Sequence, residues 1–205
     1  MNTSKIYSIL SFFLLFLAII QAPFFYYYTF GMIAILIIAP YVVFGFGLTI
    51  WLLVVMIKKS DQIKRTPKII LGLTFLIGSL TLVFGESLIE KLDWSLRKKE
   101  REEIIELIKE GKIQPNGEYN NGIAKLTNWN FPPISNGGNE ILIYQSSEGF
   151  LTVKFFINRG FLDHYSAFVY SNDEDEIKEI EERISYSKGL HNNKKIDKNW
   201  YRVSY

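Results

Sequence analysis

The side chains able to do chemistry are few, and their spacing does not assemble a reaction centre. The only histidines are His164 and His191. They stand too far apart in sequence to form a recognisable zinc motif. Asp163 precedes His164 directly, and neighbours on a strand or turn point in different directions. The chain has no cysteine, which removes thiolate nucleophiles, thiolate metal sites and disulfides together. No glycine-flanked serine forms a nucleophile elbow, and no glycine-rich phosphate loop opens a helix. The acid run Asp173, Glu174, Asp175 and Glu176 lacks the spacing and the glycine of a calcium loop. Acids in the first turn of a helix complement its dipole, and that accounts for them without a metal. These residues lead to an expectation of no catalytic group, no cofactor, no metal and no enzyme activity.

The elements around them divide into two contrasting halves. Residues 1–89 hold six basic and two acidic side chains, whereas residues 90–205 hold seventeen basic and nineteen acidic. A mildly acidic polar half has no electrostatic footprint for phosphate backbones, so nucleic acid is not an expected partner. The first half is apolar. A bilayer core of about 30 Å needs about 20 apolar helical residues. Three stretches meet or approach that length: about 6–22, 31–57 and 69–89. Backbone groups in lipid pair only within helices or closed barrels, so these read as transmembrane helices. Pro23 is expected to end the first of them. Pro40 lies inside the second and is expected to kink it. The first stretch resembles a signal peptide, but Ile20 and Pro23 around the candidate cleavage point favour an uncleaved anchor. Phe24, Phe25, Tyr26, Tyr27, Tyr28, Thr29 and Phe30 then form an aromatic belt at a short hairpin, at headgroup level.

Orientation follows from the basic residues. Lys58, Lys59, Lys64, Arg65 and Lys68 crowd the second loop, while the first loop has none. The positive-inside rule places that second loop and the N-terminus in the cytoplasm, and the C-terminal half outside. Lys91, Arg97, Lys98, Lys99 and Arg101 pull the other way, but they are interleaved with acids and belong to a longer polar domain. In the third span Gly72 and Ser79 share one face with Glu86, and Gly78 and Gly85 share another. Small residues let helices approach closely in lipid. They suit packing against the first two spans, with a partner-protein interface as the sharper alternative. Glu86 could be a functional intramembrane acid. Within one turn of the span's end, it reads as an interfacial, solvated carboxylate.

Residues 90–111 read as a connecting helix that continues the third span, with apolar stripes Ile89, Leu92, Leu96 and Ile104, Leu107, Ile108. The charged heptad between the stripes has no apolar seam. Gly111 ends the helix as a C-terminal glycine. The water-facing domain, 112–205, opens with turn dipeptides at Asn116-Gly117 and Asn121-Gly122. Strands are expected at 140–146 and 150–158 around a Ser147-Glu148-Gly149 hairpin, and near 165–170 and 200–204. In the second strand Leu151, Val153, Phe155 and Ile157 form the buried face, and Thr152, Lys154 and Phe156 the wetter one. A tight turn is expected at Asn158-Arg159-Gly160. Ser171 and Glu174 suggest a capping box opening a helix that ends near Ser185. The fold class is therefore membrane α-helical, with about three transmembrane helices, plus a small C-terminal α+β domain with an antiparallel sheet.

The surplus of aromatics in that domain is the best sign of a function. Trp129, Tyr144, Tyr165, Tyr170 and Trp200 either complete a small core or form a partner-binding face. Phe131-Pro132-Pro133 reads as a rigid turn. As an architecture, and without a motif, the chain resembles small bacterial envelope proteins, and no residue role follows from that. The expected function is a non-catalytic, multi-pass cell-membrane protein presenting an extracytoplasmic domain to a partner, such as a membrane or envelope protein, or to an envelope component. The alternatives are an accessory subunit of a larger membrane complex, of transporter or immunity type, and a membrane-anchored hydrolase. Beyond such a partner, the lipid bilayer is the one companion expected.

Overall fold

A computed structural model describes residues 3–59, 63–117, 121–127, 132–159, 164–187 and 192–205. Three long helices precede a sheet: α1 (Thr3–Tyr28), α2 (Gly31–Lys58) and α3 (Arg65–Lys109). All three are long and apolar enough to cross a membrane. The chain divides into two compact units, Met1–Tyr26 with Ile33–Leu92, and Tyr27–Met32 with Asp93–Tyr205.

In the first unit, Leu14, Leu52, Met56, Ile63 and Leu71 form the core. Pro23 does not end the first helix as expected; it lies inside α1, and Phe24 to Tyr28 are helical. In lipid a lost backbone hydrogen bond has no water to compete for it, and neighbouring groups satisfy the freed carbonyl. The aromatic run is therefore the last helical turn rather than a loop. The chain reverses at Thr29 and Phe30, and Gly31 takes the left-handed conformation that the turn requires (φ 56°). Pro40 lies inside a single helix, α2.

Helix α3 carries the third apolar stretch and the connecting helix in one 45-residue element. Gly111 follows it with φ 70°. Its N–H donates to the Ile108 carbonyl and the Lys112 N–H to the Leu107 carbonyl, both at 2.9 Å. This pair of bonds is the Schellman stop that a glycine at this position favours.

The second unit contains a six-stranded antiparallel sheet: β1 (Ile123–Lys125), β2 (Glu140–Gln145), β3 (Leu151–Arg159), β4 (Tyr165–Ser171), β5 (Lys194–Asp197) and β6 (Trp200–Ser204), in the order β1-β2-β3-β4-β6-β5. The β2–β3 hairpin closes as expected, with Gly149 at φ 88° and its N–H on the Ser146 carbonyl. The expected turn at Asn158 and Arg159 is absent: β3 runs on through both, with an irregular register between Phe156 and Asn158. Gly160 lies outside the described residues. The edge strands β1 and β5 had no signal in the sequence, being three and four residues long without an apolar run.

Helix α4 (Glu174–Tyr186) covers one face of the sheet, with Ile180 on Ala167, Val169, Tyr201 and Val203. That face of β3 was expected to be wet, yet Thr152, Lys154 and Phe156 are all buried. The alternation was read without knowing that a helix would cover the second face. The cap of α4 is Asp173 rather than Ser171: its carboxylate accepts from the N–H groups of Asp175 and Glu176.

Candidate functional site

The sheet face opposite α4 receives α3. Trp94 packs its ring 5.1 Å from Phe168 and 5.2 Å from Trp200, centroid to centroid. Below it runs a row of charge. Asp93, Arg97 and Arg101 are all buried, followed on the same side by Ile104, Ile105 and Ile108. Their spacing of three and four residues keeps them on one helical face. Of the charged heptad, which has no apolar seam in the sequence, Arg97 and Arg101 are buried, whereas Leu92 and Leu96 of the apolar stripe are 47% and 76% exposed.

A buried charge needs a partner and further hydrogen bonds. Asp93 and Arg101, each 2% exposed, form a direct ion pair. Arg97 approaches Asp93 at 3.6 Å and bonds Glu100 at 3.1 Å. The Tyr27 hydroxyl donates to Asp93 at 2.8 Å. The two arginines then reach the loop before β2. Arg97 donates to the Pro133 carbonyl at 2.8 Å and Arg101 to the Ile134 carbonyl at 3.2 Å. The Arg101 guanidinium also lies 4.6 Å from the centre of the Phe168 ring, where the ring's quadrupole attracts it. Its Nε is buried without a partner among the described residues.

The receiving loop is built for this contact. Gly137, Gly138 and Asn139 have φ of 81°, 89° and 64°. The Asn139 carboxamide accepts from the Ile134 N–H at 2.6 Å. Asn136 bonds the Phe156 carbonyl through its backbone N–H and the Thr29 carbonyl through its side chain. The cluster thus ties together α3, the loop of residues 133–139 and the turn after α1, all within the second unit. Its acids and bases neutralise one another, so the arrangement fixes geometry.

The expected helix-packing residues separate into two pairs. Gly78 and Gly85 face α1: a Cβ on Gly85 would fall 2.6 Å from the Ala22 Cβ, and one on Gly78 would fall 3.8 Å from the Ala18 Cβ. Gln21 fastens the same contact, donating to the Gly78 carbonyl at 2.7 Å and to Thr81. Gly72 has open space around it, and Ser79 is half-buried and bonds its own helix at the Phe75 carbonyl.

The expected partner-facing aromatics also separate. Trp200 is buried in the core. Tyr170 stands edge-on to it at 5.4 Å. Tyr165 stacks on Tyr205 at 4.6 Å. Tyr144 is 51% exposed. Trp129 lies outside the described residues, as do Asp163, His191 and Phe131. His164 sits with Nδ1 3.4 Å from the Tyr205 backbone oxygen. On the α4 face, Lys154 is buried, with its amine 3.3 Å from Glu176 and 4.2 Å from the Tyr205 ring centre. Burial, reinforced by the Glu176 carboxylate, pushes the Tyr205 phenol well above its usual range. At the far edge, a hydrogen bond from Lys98 holds the Asp197 carboxyl below the usual carboxylate range.

Two of the concavities among the described residues differ sharply in character. One, of about 250 Å³ within the first unit, is almost wholly apolar and includes Phe13, Pro40, Gly45 and Phe75 in its wall. The other is an open hollow of about 600 Å³ beside α4, walled by His164, Glu179, Arg183, Asn193 and Tyr205. Among the described residues no group of three or more His, Cys, Asp or Glu side chains is placed to hold a metal. Compared with protein-family models, curated proteins and solved structures, the chain matches none.

Proposed function

We propose that the chain is a non-catalytic multi-pass membrane protein that presents its sheet domain on the extracytoplasmic side to a membrane or envelope protein. The observation that carries this reading is the exposure of two aromatic side chains, Tyr144 and Phe150, beside the β2–β3 hairpin. Tyr144 pairs with Thr152 across the sheet. Phe150, 39% exposed, directly precedes β3, and its carbonyl accepts from the Ser146 N–H at 2.9 Å. The Lys154 amine lies 5.4 Å from the Tyr144 ring centre. Exposed aromatics supported by a rigid sheet are the usual anchors of protein interfaces.

The buried Asp93–Arg97–Arg101 row supports the same reading, because it makes the α3 end of the domain a fixed mount. Orientation rests on the five basic residues between 58 and 68, against none in the turn between α1 and α2.

A photo-crosslinking residue in place of Tyr144, in the full chain in its own membrane, tests the function. A discrete protein adduct that Phe150→Ala weakens is the expected result. Adducts confined to lipid and to the chain itself would overturn it.

A further inference from the structure

The apolar cavity of the first unit is walled by residues between Phe13 and Gln21 on α1, between Pro40 and Thr49 on α2, and between Thr74 and Gly78 on α3. All three stretches belong to that one compact unit. The cavity measures about 250 Å³, and none of its wall residues is charged. Phe13, Tyr41, Phe44, Phe46 and Phe75 give it flat aromatic surface. Phe46 meets Phe75 edge-on at 5.6 Å, which joins α2 to α3. Phe13 and Phe44 are also exposed on the outside of the spans, where lipid surrounds them, so a molecule dissolved in the bilayer can enter.

Four polar side chains interrupt the wall, and three of them are committed. The hydroxyls of Tyr41, Thr49 and Thr74 donate to the carbonyls of Leu17, Gly45 and Ile70 at 2.7, 2.7 and 2.9 Å. The fourth, Gln21, is buried. Its amide nitrogen donates to the Gly78 carbonyl and to Thr81. A carbonyl only accepts, so the Gly78 contact fixes which end of the amide is nitrogen. The Gln21 oxygen, at the other end, accepts from no group among the described residues. In lipid an amide oxygen left without a donor is costly. An acyl chain filling the cavity brings no donor. We infer that the cavity is a binding site for an uncharged, bilayer-soluble aromatic alcohol, whose ring lies among the phenylalanines and whose hydroxyl donates to the Gln21 oxygen. Size agrees. An engineered apolar cavity of about 150 Å³ holds benzene, and this one is larger. Along α1 its wall rises about 12 Å from Phe13 to Gln21 at 1.5 Å per residue. A two-ring phenol such as 2-naphthol fits these limits. The site requires neither a particular orientation of the chain nor a partner for its sheet domain.

Equilibrium dialysis of radiolabelled 2-naphthol against the full chain in phosphatidylcholine nanodiscs tests this, with empty nanodiscs subtracting simple partition into lipid. Saturable binding of about one molecule per chain is the expected result. 2-Methoxynaphthalene, which keeps the rings and loses the donor, should bind about tenfold more weakly, the worth of one hydrogen bond. Gln21→Met should bring the two ligands to equal affinity. Because Gln21 also fastens α1 to α3, a second variant leaves that contact alone. Gly45 stands in the wall with nothing within 4 Å of where a Cβ would be. Gly45→Leu should therefore fill the space and abolish saturable binding while the melting temperature holds. Absence of saturable binding to the parent chain would overturn the proposal. Equal binding of the two ligands by the parent chain would overturn it as well, and would assign the cavity to acyl chains. Binding that survives Gly45→Leu would place the site elsewhere.

Discussion

Asp93→Ala is expected to cost about 3–5 kcal/mol of folding stability, the range for removing one partner of a buried ion pair. The substitution leaves Arg101 and Arg97 buried with no carboxylate between them, and it removes the acceptor of the Tyr27 hydroxyl. Arg101 has no reserve, since its Nε is already without a partner among the described residues. For a chain of this length the loss corresponds to a fall in melting temperature on the order of 10 °C. Asp93→Asn, which keeps an acceptor and loses the charge, should fall between. Glu103→Ala, on the exposed side of the same helix, should stay within about 0.5 kcal/mol. Intrinsic fluorescence reports the transition, because Trp94 and Trp200 pack against each other beside the cluster. A parent-like Asp93→Ala would mean that water reaches the row.

Gly85 gives the second large effect. Even alanine there brings a Cβ to 2.6 Å from that of Ala22, so the two helices must move apart or shift. Overpacking of this kind costs about 1–3 kcal/mol, and a leucine adds to the cost. Gly78→Ala meets Ala18 at 3.8 Å, an ordinary contact, and Gly72→Ala meets nothing. Both should be tolerated. Pairing Gly85→Ala with Ala22→Gly should recover most of the loss, as a double-mutant cycle for a direct contact requires. Unfolding of the full chain in detergent reads these variants, with Ala22→Gly alone completing the cycle. Equal tolerance of Gly85→Ala and Gly72→Ala would show that α1 does not approach α3 at this point.

Much of the fold was legible in the sequence because it follows from long-range patterning. Apolar runs of lipid-crossing length, the glycine after Lys109's turn and the Gly149 hairpin each have one physical solution. The failures share a different cause. Pro23 was read by the rules of water, where proline ends helices, although it sits in a segment where lipid changes the balance. Thr152, Lys154 and Phe156 were assigned to a wet face because a strand's own sequence does not say whether a helix will cover it.

The buried row was missed for a related reason. Nothing in the residue types of Asp93, Arg97 and Arg101 marks them as core, although their spacing continues directly into Ile104, Ile105 and Ile108. That shared face, with acid and base one and two turns apart, was the available signal. The receiving carbonyls of Pro133 and Ile134 had none, since a backbone acceptor leaves no trace in side-chain identity. Of the five aromatics singled out in the domain, Tyr144 is exposed and Trp200 is core; only the fold distinguishes them.

The side of the membrane on which the sheet domain sits is the central claim and can be measured first. Single cysteines in place of Glu110, at the end of the helical mount, and of Ser60, which leaves the five basic residues of the loop intact, provide two reporters in a chain with no other thiol. Intact bacterial cells expressing each variant are treated with a membrane-impermeant maleimide, before and after permeabilisation. The account predicts labelling of Glu110→Cys on intact cells and of Ser60→Cys only after permeabilisation. Labelling of Ser60→Cys on intact cells, with Glu110→Cys protected, would contradict it and turn the search for partners to the cytoplasm.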